Sequence, residues 1–113
     1  MQDPCQAREV LGIVGDKWAL LIVRVLKDGP LRFTELKRSI EGISQRMLTT
    51  VTLRDLERDG ILTRTVRDVM PPNVSYELTT MGRTLREATA PLLEWSITHL
   101  PKIGEARAAY DNR

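Results

Sequence analysis

A chain of 113 residues, 42% apolar and 28% charged, is long enough for one domain with a modest core and has the usage of an ordinary soluble globule. The longest apolar run, Trp18 to Val23, is far too short to span a bilayer, and no charged-then-apolar leader precedes it, so no membrane association and cytoplasmic residence are expected. The single cysteine, Cys5, excludes an intrachain disulfide and a cysteine zinc cluster, and His99 has no second histidine or cysteine at metal spacing. Net charge is only +2, but it is unevenly spread: residues 32 to 67 hold eight basic and five acidic side chains, while the flanking segments hold four and four, and five and six.

In chain order, Asp3 or Pro4 opens a first helix with Cys5, Val10, Leu11 and Ile13, ending near Gly12 to Gly15. Asp16 caps a second, DKWALLIVRVLKDG, apolar on most of its circumference and therefore a core element. Asp28-Gly29-Pro30 is a turn. Leu31 to Phe33 forms a very short strand before a third helix, Thr34 to Ile40, with Phe33, Leu36 and Ile40 inward.

Glu41-Gly42-Ile43 then connects to SQRMLTTVTLRDLERDG, Ser44 to Gly60, the helix around which the chain is organised. Ser44 is a good N-cap, since its hydroxyl accepts from a free backbone N–H, and Gly60 suits the left-handed stop. The first turns carry Gln45, Arg46, Thr49, Thr50 and Thr52 and no carboxylate; Asp55, Glu57 and Asp59 wait for the second half. A short-chained, basic helix start is what a phosphate-lined groove tolerates. The apolar pattern is out of phase with one straight helix. At about 100° per residue from Ile43, Met47, Val51 and Leu48 fall at about 40°, 80° and 140°, whereas Leu53 and Leu56 fall at about 280° and 220°. Removing one residue restores a single stripe, so a one-residue π-type bulge or a kink is expected within Thr49 to Thr52.

Ile61 to Arg67 and Val74 to Thr79 read as two strands joined by DVMPPN; Val74, Tyr76 and Leu78 alternate with polar neighbours. The Pro71-Pro72 pair stiffens the tip. From Thr80 to Leu100 the pattern is helical, with Leu85, Ala88, Leu92, Trp95 and Leu100 on one side and a kink or break expected near Thr89 to Ala90, ahead of Pro91. The tail from Pro101 is mixed, with a helical stretch at Ala106 to Tyr110. Short helix, Gly-containing connection, second helix and hairpin make a winged helix-turn-helix, mainly α with a small β wing.

Together these segments resemble the HxlR-type winged-helix regulators, relatives of the MarR group. The carriers are Cys5, GDKW at Gly15 to Trp18, GPLRFTEL at Gly29 to Leu36, GISQRMLT at Gly42 to Thr49, LRDLERDG at Leu53 to Gly60, Pro71-Pro72, and YELTTMGRTL at Tyr76 to Leu85. The resemblance implies one domain over 1–113, with dimerisation helices at 1–26 and 80–100, a helix-turn-helix at 34–60 and a wing at 61–79. It implies a homodimer on a pseudo-palindromic operator in double-stranded DNA, with Ser44, Gln45, Arg46 and Thr49 in the major groove and the wing tip at the adjacent minor groove. This chain departs from the family pattern in two places. Asn73 and Ser75 stand where a basic and an acidic residue commonly follow the proline pair. The recognition helix is one residue longer than the usual MLTxxLRxLE spacing, which agrees with the phase break.

The candidate DNA contacts are therefore Ser44, Gln45, Arg46, Thr49 and Thr50, then Arg32, Lys37, Arg64 and Asn73, with Arg38 and Arg67 as weaker flanking cations. Basic residues flanking such a motif often only solubilise it. Trp18 and Trp95 read as core or dimer anchors rather than ligand platforms. Cys5 has two readings: a small packing residue, or, as in many members of the resembled family, a sensor of oxidants or electrophiles, with Arg8 and a helix N-terminus favouring thiolate. The chain offers no catalytic set, phosphate loop, cofactor site or metal site, so an enzyme is the weakest reading. A winged-helix protein-interaction module without DNA binding is the alternative to a regulator, and salt-dependent duplex binding separates the two.

Overall fold

Asp16 starts helix α1 (Lys17–Val25): its carboxylate accepts from the backbone N–H of Trp18 at 2.9 Å and of Ala19 at 3.2 Å, satisfying two donors that no helical carbonyl reaches. This computed structural model describes residues 7–8, 11–12, 16–67, 69 and 73–113, with backbone alone at 49–51. The expected helix from Asp3 or Pro4, with Cys5, Val10 and Ile13, lies outside them except at Ala7, Arg8, Leu11 and Gly12, and the proline pair lies outside them too.

Helix α1 buries Ala19, Leu20, Ile22 and Val23, as its nearly continuous apolar surface requires, and tightens into a 3-10 turn, Leu26–Asp28. Strand β1 (Leu31–Arg32) follows, one residue shorter than expected, and α2 (Phe33–Ser39) begins at Phe33. Its first turn is closed by Glu35, whose Oε1 accepts from the Arg32 N–H at 2.9 Å. Leu36 and Ile40 point into the core.

The central helix runs from Gln45 to Arg58 in two windings: a π-helical segment, Met47–Leu53, between Gln45-Arg46 and α3 (Arg54–Arg58). The irregularity expected from the apolar phase is present and spans seven residues. It ends as the sequence anticipates. Gly60 takes φ +77°, its N–H donates to Glu57 O at 3.0 Å, and the Ile61 N–H donates to Leu56 O at 2.9 Å, a Schellman closure sealed by the buried pair Leu56 and Ile61.

Strands β2 (Leu62–Arg67) and β3 (Asn73–Leu78) pair antiparallel with Leu62 opposite Leu78 and Arg67 opposite Asn73; β1 adds to the other edge of β3, giving the order β1-β3-β2. Tyr76 and Leu78 face the core, where Leu36, Leu48, Leu53, Leu56 and Leu62 meet α1.

Thr79 caps α4 (Thr80–Asp111) by accepting from the Gly82 N–H at 3.0 Å, and its hydroxyl lies 2.6 Å from Gly60 O and 3.1 Å from Ile61 O. The break expected at Thr89 to Ala90 does not occur: α4 is one helix of 32 residues, containing both Pro91 and Pro101, and it absorbs the stretch expected to be a mixed tail. Pro91 and Pro101 are exposed, so the Glu87 and Ile97 carbonyls that lose their partners are open to water, and the remaining ladder is long enough to carry two missing bonds. At 1.5 Å per residue α4 is about 48 Å long. Its first part packs through Leu85 against the core, while Leu92, Trp95, Ile97, Leu100 and Tyr110 are exposed.

Candidate nucleic-acid interface

The start of the central helix is built for presentation. The Met47 N–H donates to Ser44 Oγ at 3.1 Å and the Leu48 N–H to Ser44 O at 3.0 Å, so the expected cap forms. Ser44, Gln45 and Arg46 are exposed, while Ile43 before them and Leu48 after them are buried. Two apolar anchors thus hold a three-residue polar turn outward, with the positive end of the helix beneath it and no acidic side chain before Asp55. Met47, on the apolar set by its spacing, is 37% exposed on the same surface.

Other expected contacts fall around this turn. Lys37 is exposed on α2, but its ammonium donates to Ile43 O at 3.3 Å, which ties the first helix of the motif to the entrance of the second. Arg38 is exposed beside it. Arg32 and Asn73 come together: with Phe33, Thr34 and Val74 they line a depression of about 310 Å³ where the β1 edge meets the start of β3. Asn73 Oδ1 is buried there without a hydrogen-bond partner among the described residues.

Arg64 stands apart from that pair. In register it lies opposite Tyr76, and with Leu53, Arg54, Glu57 and Tyr76 it lines a second depression, of about 290 Å³, between the sheet and α3. Arg67 is exposed at the far end of β2. The side chains of Thr49 and Thr50 lie outside the described residues, as does Cys5.

Two polar residues enter these depressions without having been singled out in the sequence, Thr34 and Arg54. Arg54 was legible only in part. It follows the phase break, so its azimuth depends on how the break is resolved, and the π segment sets it against the sheet. Trp18 is partly buried against the core, as an anchor should be. Trp95 is 53% exposed and stacks on His99, ring centroids 4.5 Å apart, while His99 Nδ1 lies 2.9 Å from Trp95 O. Among the described residues no group of His, Cys, Asp and Glu is placed to hold a metal ion, and no helix is long and apolar enough to cross a membrane.

This geometry has close counterparts. The family model for the HxlR-like helix-turn-helix matches residues 13–103. The HTH-type transcriptional regulator YtfH of Escherichia coli strain K12 is 41% identical over 101 residues, covering 89% of this chain and 79% of its own. Among solved structures, the putative transcriptional regulator ytfH from Salmonella typhimurium superimposes with a TM-score of 0.81 at 39% identity, covering 90% of each chain. The redox regulator HypR in its oxidized form does so with a TM-score of 0.76 at 40% identity, covering 83% of this chain and 96% of its own. The exposed capped turn, the three-stranded wing sheet and these matches agree, and the chain belongs to the HxlR-like helix-turn-helix family of winged-helix transcriptional regulators.

Proposed function

We propose that the protein binds a pseudo-palindromic operator as a homodimer, with Ser44, Gln45 and Arg46 of each copy in successive major grooves about 34–36 Å apart. The observation that carries this reading is the outward turn at Ser44 to Arg46, capped, free of carboxylates and fixed by buried residues on both sides. Thr49 and Thr50 continue the reading surface along the helix. Arg32 and Asn73 flank it on the wing side, and Arg64 and Arg67 supply phosphate contacts. The setting is the cytoplasm, where operator DNA is found.

The second copy is supported by α4. Its stripe Leu85, Leu92, Trp95 and Ile103 follows helical spacing; Leu85 is covered by the chain's own core, Leu92 and Trp95 are exposed, and Ile103 is half-buried. A partner helix related by two-fold symmetry covers such a stripe with itself, and the N-terminal helix completes the seam. Control by oxidants or electrophiles through Cys5 is the regulatory part of the reading. Its support is the redox regulator HypR among the structural relatives and Arg8 three residues after Cys5 in the sequence.

Selection of bound duplexes from a random pool, followed by titration of the best duplex with salt, tests the DNA reading: a two-fold motif and a steep fall of affinity with salt are expected. Absence of binding at low salt rejects it in favour of an interaction module. Sedimentation at micromolar concentration tests the dimer, which Trp95→Lys should split. Oxidant or quinone treatment should change the affinity of the wild type and leave Cys5→Ser unchanged; equal responses in both reject the sensor.

A further inference from the structure

A cavity of about 270 Å³ lies where the N-terminal end of α1 meets the second half of the central helix, and none of its lining residues is a candidate DNA contact. Asp16, Asp55 and Asp59 bring three carboxylates to it against the single guanidinium of Arg58, so two negative charges of the wall stay uncompensated. Ala19 and Leu56, both buried, supply its apolar surface. The two cap bonds of Asp16 end on one oxygen, Oδ1, which leaves Oδ2 to a second partner. Asp55 to Asp59 close the central helix, where the helix dipole is negative as well.

Thr52 lines the same cavity, and its state is independent of those charges. Only 2% of it is exposed, and its hydroxyl has no hydrogen-bond partner among the described residues. Three other hydroxyls within helices of this chain behave differently. Ser39 Oγ donates to Glu35 O at 2.8 Å, Thr89 Oγ1 to Leu85 O at 2.8 Å and Ser96 Oγ to Leu92 O at 2.9 Å, each to the carbonyl four residues back. Those three sit in α winding, where that carbonyl is in reach. Thr52 sits in the π segment, whose repeat is five residues, and the same bond is lost. A buried hydroxyl left unpaired is unfavourable, and the cavity is the open space beside it from which a partner can come.

We propose that this cavity binds a small organic cation, an amine or guanidine whose N–H groups donate to the carboxylates of Asp16, Asp55 and Asp59 and to Thr52 Oγ1. A metal ion does not fit, because among the described residues no group of His, Cys, Asp and Glu is placed to hold one; carboxylates spread around a cavity suit a cation whose donors are spread too. Anions, the DNA backbone included, are repelled by the same wall. The volume lies at the small end of ligand cavities, so the occupant has few heavy atoms. Bound there, it bridges α1 and the helix that begins at Ser44.

Calorimetric titration of the full-length chain at low salt with propylamine, 1,4-diaminobutane and 4-guanidinobutylamine tests this. At least one should bind with a Kd of about 1 mM or tighter and raise Tm, while butyrate gives no heat. Failure of all three overturns the proposal and leaves water as the partner of Thr52. Asp55→Asn and Asp59→Asn, at exposed positions, should each weaken binding at least about tenfold. An equal loss in Glu105→Gln, an exposed carboxylate on α4 outside the cavity, would reduce the effect to surface charge and overturn the site. Thr52→Val should keep or raise the Tm of the free chain and weaken binding. A lowered Tm would reveal a partner within the protein and full affinity a ligand that does not reach the hydroxyl, and either result overturns the proposal. None of these readouts involves DNA, so their failure is distinct from failure of the regulator reading.

Discussion

The ammonium of Lys37 donates to the carbonyl of Ile43 at 3.3 Å, bridging the turn between the two helices of the motif. A cation spent on a backbone oxygen at the entrance of the reading helix positions that helix before it touches phosphate. Lys37→Met, which keeps the apolar stem, should cost about 1 kcal/mol of stability with the salt slope of DNA binding unchanged. Loss of about one unit of that slope, with stability intact, would instead make Lys37 a phosphate contact. Arg46→Ala gives the contrast: a loss of about 1–3 kcal/mol confined to one base pair, whereas a uniform loss with a flatter slope would assign it to phosphate.

Ser44 has two separable duties. Its Oγ caps the helix, and its exposed side chain lies in the turn proposed to meet DNA. Ser44→Ala removes the cap and should cost about 1 kcal/mol in urea denaturation. Ser44→Asp caps as well as serine but brings a carboxylate to the phosphates, so it should hold stability while affinity drops at least about tenfold. Equal affinity for Ser44→Asp and wild type would remove this turn from the groove.

The π segment changes which apolar residues matter. By spacing alone Met47 and Leu53 are comparable, yet Met47 is 37% exposed and Leu53 is 2% exposed. Leu53→Ala should destabilise by about 2–5 kcal/mol and Met47→Ala by under about 1 kcal/mol, as read from denaturation midpoints at constant m. Comparable losses at the two sites would mean that the π segment does not turn Leu53 inward and leave Met47 at the surface.

Gly82 is fixed by a neighbour distant in sequence. A Cβ there would sit 2.0 Å from Ile61 O, the carbonyl that also accepts from the Thr79 N–H at 3.0 Å. Gly82→Ala must push α4 away from the end of the central helix, at a cost of about 3 kcal/mol. A thermal melt shifted by less than about 4 °C would show that the junction yields easily.

Much of this was legible along the chain. Caps at Asp16 and Ser44, the stop at Gly60 and the alternation Val74, Tyr76, Leu78 are local chemistry, and each stands within a residue or two of its expected place. The winding fault in the central helix was legible too, because two apolar sets out of phase cannot share one core. Pro91 misled: the rule that proline ends a helix describes one lost bond and one clash, and α4 has enough other bonds to run through it. Arg64 looked equivalent to the other cations of the wing, but strand register turned it toward Arg54 and Glu57.

What the residues determined by themselves is the caps at Asp16 and Ser44, the stop at Gly60, the strand alternation and the single polar turn at Ser44 to Arg46, because caps, periodicity and charge act within a few residues. Tertiary packing decided the rest. Only the joint burial of Leu48 and Leu53 selects π over α winding, and only the Ile43 carbonyl reveals that Lys37 is already engaged. Only the burial of Leu85 and Thr89 shows how far α4 serves its own chain before it offers an exposed face from Leu92. Those outcomes depend on groups that approach through space, whose distances no local pattern encodes.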